Sequence, residues 1–284
     1  PMEALHLAGH SIIEWTDSAE TGIWLARRHR DRMLDEARTP DDSSVANWIA
    51  FVALAFRGHL QESRVLMPRG YYMLAQLALL GAIPDDSADV LLRSWLSWKN
   101  PPGMRPWWAL PWLADHRDTA AIAGLARAAD LGLRAPPVPL TPSDREIVGY
   151  ISQSARAYLT LARGDSGAAL RLFENLPDSA CLGQCELDAL VRVRLLAARG
   201  RDQDAARRLD AVPVLDWGRW VVSPTRVLWE LERGRVRERL GNREGARASY
   251  AFVADAWIHA DAILRPYVDE ARAGLIRLGT DRKS

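Results

Sequence analysis

The chain holds 284 residues, 48% hydrophobic and 26% charged, a balance that excludes a disordered tail and suffices for one elongated array or two modest cores. Its 37 basic and 36 acidic side chains leave a formal charge of +1, which excludes the basic excess of a nucleic-acid or polyanion binder. Ala (43) and Leu (38) far outnumber Val (16) and Ile (11), so strong helix formers dominate β-branched residues and the expected fold class is all-α.

The chain begins Pro1-Met2 with no basic n-region or hydrophobic h-region, so no secretory signal is visible; a proline start points to a portion of a longer polypeptide. Near this end, His6 and His10 are four residues apart, a ligand-like helical spacing, but no third ligand is evident and no metal site is expected. The first strong turn pattern is Gly58-Ser63-Met67, followed by Pro68. Residues 71–84 form the longest apolar window, yet it carries Gln76 and falls short of the roughly 18 to 20 residues that span a bilayer. No membrane insertion is therefore expected in this segment. Cytoplasmic placement is the default, and an extracytoplasmic one follows only if a transmembrane segment lies upstream. Asp85 and Asp86 stand just ahead of a predicted helix, where they favour the positive end of its dipole.

Five of the twelve tryptophans, Trp95, Trp98, Trp107, Trp108 and Trp112, fall within residues 95–112 among Pro101, Pro102, Gly103, Pro106 and Pro111. Two readings stand: an anchor or cage for a ligand or partner, built from Trp98, Trp107, Trp108 and Trp112 with Arg105, or a core that fills irregular gaps where the repeat breaks down. A degenerate turn copy, His116-Ala121-Leu125, comes next. The prolines of residues 135–143 cannot lie inside a helix and suggest a spacer between an N-terminal helical region, residues 1–134, and a C-terminal region, residues 144–284. Pro142-Ser143-Asp144 opens the following helix with capping chemistry.

In the second half, Gly164-Ala169-Phe173, Gly200-Ala205-Leu209 and Gly241-Ala246-Tyr250 repeat one spacing, with Pro177 and Pro213 closing the first two. Glycine takes the left-handed conformation that ends a helix. The small residue lets the next helix pack closely, and the bulky one fills the groove beyond it. The copies recur after 36 and 41 residues, the period of helix-turn-helix solenoids. Cys181 and Cys185 lack the Cys-x-x-Cys spacing and are too few for a structural zinc; a local disulfide and a pair of buried thiols are both open. The final stretch, 246–278, reads as a helix, a bend near Pro266 and a closing helix whose outer face carries Asp269, Glu270, Arg272 and Arg277. The tail, 279–284, is expected to fray.

The segments Leu161-Ala-Arg-Gly-Asp-Ser-Gly-Ala-Ala-Leu-Arg-Leu-Phe, Ala197-Ala-Arg-Gly-Arg-Asp-Gln-Asp-Ala-Ala-Arg-Arg-Leu and Arg239-Leu-Gly-Asn-Arg-Glu-Gly-Ala-Arg-Ala-Ser-Tyr resemble tetratricopeptide (TPR) repeats. The resemblance is good over residues 143–278 and looser over 44–129. The early-helix tryptophan and mid-helix glycine of the family are mostly missing, Gly234 being the main exception. The C-terminal half also resembles the TPR-rich regions of large bacterial signalling proteins, such as kinases and transcriptional regulators.

The resemblance implies an α-solenoid of antiparallel helix pairs whose concave face, lined by the first helix of each pair, binds a protein or peptide segment. Alignment on the turn glycines puts Tyr158, Arg194 and Arg235 at one groove position, and Leu190, Leu231 and Trp48 at another. Arginines over an apolar floor suit an acidic or amphipathic segment; the alternative is that they pair with neighbours such as Asp188, Glu230 and Glu238. No phosphate loop, His-Glu-x-x-His or Gly-x-Ser-x-Gly is present, so neither catalysis nor a cofactor is expected. The expected function is a non-catalytic interaction or scaffold module. A small-molecule sensor using the Trp-rich region is the alternative. Of the 37 basic residues only Lys99 and Lys283 are lysines, a uniform bias that reads as genome composition rather than a binding code.

Overall fold

The computed structural model describes residues 19–36, 40–66, 73–96, 105–136, 138–177, 185–211 and 223–280. Among these residues it contains fourteen α-helices, one 3-10 turn and no strand, as the Ala and Leu excess requires. In chain order the helices are α1 (Ala19–Glu36), α2 (Pro40–Phe56), α3 (Leu60–Leu66), α4 (Met73–Leu79), α5 (Asp85–Ser94), α6 (Arg105–Asp115) and α7 (Thr119–Arg134). There follow α8 (Pro142–Ala162), α9 (Ser166–Glu174), α10 (Cys185–Ala197), α11 (Asp202–Asp210), α12 (Pro224–Arg239), α13 (Arg243–Ala256), the 3-10 turn Ala262–Leu264 and α14 (Arg265–Thr280).

One turn recurs through the chain. Gly58, Gly164, Gly200 and Gly241 have φ between 68° and 87°, the left-handed region that costs glycine nothing. Each donates its N–H three residues back, and the next residue donates five back, as in Gly164 N to Leu161 O and Asp165 N to Thr160 O. The freed carbonyls of the ending helix are thereby satisfied. The residue after the glycine then caps the next helix where its side chain allows: Asp165 accepts from Ala168 N and Asn242 from Gly245 N. The predicted small and bulky positions are buried at Ala169, Phe173, Ala205, Leu209, Ala246 and Tyr250.

The degenerate copy sits one residue later than the sequence spacing suggests. Arg117, not His116, holds the left-handed conformation at φ 54°, and Asp118 caps α7 by accepting from Ala121 N. The small and bulky positions are then Ile122 and Ala126, both buried.

The chain divides into two compact units. The contiguous one covers residues 70–215 and holds α4 to α11. Consecutive helices pack on each other from α6 to α11, and α4 with α6 and α6 with α8 also pack across one intervening helix, the pattern that stacked helix pairs produce. The stretch between Arg134 and Pro142 joins α7 and α8, which pack together, and it lies inside this unit rather than at the expected boundary. Thr141 caps α8 in a reciprocal box with Asp144.

The other unit joins the chain's two ends, residues 1–69 and 216–284, so the expected N-terminal region, residues 1–134, is not one compact body. Here α1 packs on α2, α2 on α3 and α12, α12 on α13 and α14, and α13 on α14. A Cβ added to Gly58 would lie 2.4 Å from Ala260 Cβ, so the backbone of the α2–α3 turn presses on the segment after α13. The Trp257 indole donates to Phe56 O at 2.9 Å, and Asp261 N donates to Gly58 O at 3.0 Å. The closing helix starts at Arg265 after the 3-10 turn, which realises the bend expected near Pro266.

Candidate functional site

The groove positions expected from the turn alignment are mostly packing positions. Tyr158, Leu190 and Leu231 are 1%, 2% and 1% exposed, so they cannot meet a partner; each fills the seam between its own helix and its neighbours. The Tyr158 hydroxyl donates to Asp188 Oδ1 at 2.8 Å. Trp48 is half-buried on α2. Arg194 is exposed on α10, and Arg235 lies in the other compact unit. Arg235 is half-buried and forked onto Glu270 at 2.6 and 2.5 Å, with Glu232 at 2.7 Å. The hydrogen bonds to Glu270, with Glu232 alongside, raise its pKa further above its ordinary value. Its guanidinium is thus engaged within the fold, with Glu232 and Glu270 as partners instead of the expected Glu230 or Glu238.

The tryptophan cluster divides in the same way. Trp107 is fully buried, its ring 4.7 Å from that of Tyr150, and its indole donates to Asp188 Oδ2 at 3.2 Å. Trp112 is 2% exposed and stacks on His116 at 3.9 Å. Both belong to the core and are no exposed anchor. Trp108 is half-buried against Trp95 in an edge-to-face pair at 6.1 Å. Trp98 lies outside the described residues, as does the side chain of Arg105, which opens α6.

An arginine-lined hollow lies in the contiguous unit. The end of α9, α10 and α11 border an open hollow of about 330 Å³ lined by Glu174, Arg192, Leu196, Arg201, Asp204, Arg207, Arg208 and Ala211. Arg201 bridges Glu174 at 2.9 Å and Asp204 at 2.7 Å, and Arg207 also reaches Asp204. These guanidiniums, Arg207 foremost and then Arg201, hold the Asp204 carboxyl below its usual range. Arg192 and Arg208 are half-buried. Four guanidiniums and two carboxylates line the hollow. The sequence signal is Arg201, Arg207 and Arg208 on or beside one short helix, with Arg192 on the helix before it. Arginines spread along the whole chain hide that grouping.

A second open surface runs along α1, where Trp24 is 56% exposed and Arg28 lies 5.6 Å from its ring centre. In the sequence Trp24 stands well before the tryptophan-rich segment, and nothing in the local spacing marks it. Among the described residues no group of three or more His, Cys, Asp and Glu is arranged to hold a metal ion; His6, His10 and Cys181 lie outside them, as does the side chain of Cys185, which heads α10. No helix among them is long and apolar enough to cross a membrane.

No protein-family model matches the chain, and no curated protein or solved structure does either. Function must therefore be argued from the cleft itself. Guanidinium groups in general bind anions by charge and by bidentate hydrogen bonds.

Proposed function

We propose that this chain is a non-catalytic scaffold module, a TPR-like stack of helix pairs that captures an acidic segment of a partner protein or of its own polypeptide. The observation that carries the reading is the open hollow at the end of α9, α10 and α11, which Arg192, Arg201, Arg207 and Arg208 line. Recognition of acidic motifs by arginine clusters is a recurring binding mode. A role in a bacterial signalling protein belongs to the same proposal and rests on the resemblance of the C-terminal half alone.

Binding of a labelled Asp-rich peptide, followed by anisotropy at low and moderate salt, tests it. Arg192→Glu/Arg208→Glu should weaken binding by about tenfold or more, and added salt should weaken the wild type. Arg194→Glu should change little, because residues two apart on a helix face different ways. Equal binding by a folded double variant would remove the cleft from the proposal.

A second reading, a small-molecule sensor, is favoured by a separate observation. Gln76 on α4 is 2% exposed and neither of its amide atoms has a hydrogen-bond partner, and the same holds for the buried indole nitrogen of Trp112 on α6. These two helices pack together, and buried unpaired polar atoms cost about 1–3 kcal/mol each. A small polar molecule enclosed there would relieve that cost. Thermal-shift screening with a metabolite library should then give a ligand-dependent rise that Gln76→Leu abolishes; no shift from any compound counts against a sensor.

A further inference from the structure

We infer that His59 makes the junction between the two ends of the chain sensitive to mild acid: its imidazole is accommodated as the neutral base, and protonation loosens the hold of the α2–α3 turn on residues 257–261. Backbone groups at this turn carry the junction. Asp261 N donates to Gly58 O at 3.0 Å, Gln61 N donates to Asp261 Oδ2 at 2.8 Å, and the Trp257 indole donates to Phe56 O at 2.9 Å. In the sequence His59 stands between Gly58 and Gln61, and its ring nitrogen Nε2 is buried without a hydrogen-bond partner. A neutral ring can leave one nitrogen bare as an unused acceptor. A protonated ring makes both nitrogens donors, and a charged N–H buried without an acceptor costs far more than a bare nitrogen.

The charged groups around the ring come from three elements, and they do not supply that acceptor. Glu62 of α3 approaches Nδ1 at 3.9 Å, too far for a hydrogen bond. Its carboxylate is already forked by Arg27 of α1, Nε to Oε1 at 2.8 Å and Nη2 to Oε2 at 2.5 Å, and that pairing holds it below its ordinary pKa. The segment after α13 brings Asp261, whose Oδ2 accepts from Gln61 N, and His259, whose Nε2 lies 3.1 Å from Glu20 Oε1 of α1. On the α2 side of the turn Arg57 is buried, with the charge of Asp255 acting on it. Burial pushes the His59 imidazole below its ordinary pKa; Glu62 and Asp261 pull it up, and Arg27 and His259 push it down. A group whose pKa is lower in place than when released binds protons more readily in the released state. The junction is therefore firm above about pH 6.5 and weakens as the pH falls from there toward the pKa held in place. A ring that titrates at about 6.5 once released, and not at all in place, favours opening by up to about tenfold between about pH 7.5 and 5.5.

Amide hydrogen exchange followed by NMR on the whole chain tests this, because the Gln61 and Asp261 amides donate across the junction. Their protection factors, corrected for intrinsic exchange, should fall about fivefold from about pH 7.5 to 5.5. Amides in the middle of α8, in the other compact unit, should keep theirs. His59→Gln, which stays polar and cannot take up a charge, should leave the Gln61 and Asp261 protection level over the same range. In the parent the His59 ring protons should titrate with a midpoint below about 6.5, a measurement that needs no variant and decides the matter if His59→Gln does not fold. Unchanged protection of both amides in the parent, or a His59 midpoint at or above about 6.5, overturns the inference. An equal fall in His59→Gln overturns the assignment to this ring. A fall of the same size in α8 overturns a device local to the junction, since the whole molecule would then be loosening.

Discussion

Asp188 sits 2% exposed on α10 and gathers donors from two other helices. Ser154 Oγ and Tyr158 OH on α8 donate at 3.0 and 2.8 Å, and Trp107 Nε1 on α6 donates at 3.2 Å. A buried carboxylate is costly unless it is well satisfied, and once satisfied it fixes the rotamers of every group that meets it. Asp188→Ala would take the shared acceptor away from three buried donors, each loss costing about 1–3 kcal/mol. Urea denaturation should therefore show a loss of about 3 kcal/mol or more, and Asp188→Asn, which keeps an acceptor, should lose less. Equal stability of the alanine variant and the parent would mean that these donors find other partners. The sequence marks Asp188 only as a neighbour for groove arginines. Its donors are 81, 34 and 30 residues away, and no local spacing rule links positions so far apart. Arg192, by contrast, is within reach of sequence reasoning that asks which arginines meet across a helix-pair turn.

Spacing is most informative at the level of the helix pair, because a left-handed glycine, its cap and the small residue behind it all act within one turn of helix. It fails where the glycine is absent. There the alignment follows the small residue Ala121, whereas the true marker is the capping residue Asp118 with Arg117 before it. The mid-helix glycine at Gly234 also has a physical explanation. The Tyr250 ring of α13 is held between Gly234 of α12 and Gly274 of α14, where an added Cβ would come within 2.7 and 2.5 Å of the ring. Burial, with the hydroxyl donating to Glu238 at 2.7 Å, pushes the Tyr250 phenol well above its ordinary range. The ring cannot swing aside without giving up that bond. Gly234→Ala should therefore destabilise by about 1–3 kcal/mol through overpacking. Gly149 in α8, with nothing within 4 Å of an added Cβ, is the counterpart: Gly149→Ala should be neutral or gain up to about 1 kcal/mol from helix propensity. The melting temperature should fall for Gly234→Ala and stay level or rise for Gly149→Ala; an equal fall in both would show that packing around Tyr250 is not what decides.

For the whole chain, a linear reading fails for a simple reason. Solenoid logic assigns each helix pair to its sequence neighbours, and proline-rich stretches then look like boundaries. Here the decisive contacts join residues about 200 positions apart: Trp257 with Phe56, and Asp261 with Gly58 and Gln61. The chain starts one compact unit, leaves it near residue 69, completes the second, and returns near residue 216. Each terminal portion thus depends on the other to bury its surface. Trp257 is 1% exposed and Leu264 fully buried, and both lie close to Gly58. Cutting the chain should show this directly. A fragment of residues 70–215 should fold by itself with a cooperative thermal transition, because its helices bury one another. A fragment of residues 216–284 alone should melt without cooperativity, since removing its partner uncovers Trp257 and Leu264 at about 25 cal/mol per Å² of apolar surface. Adding residues 1–69 in trans should restore the transition and shift Trp257 fluorescence to the blue. If residues 216–284 instead melt sharply alone and do not respond to residues 1–69, the two ends fold independently and the contacts at Gly58 are incidental to stability.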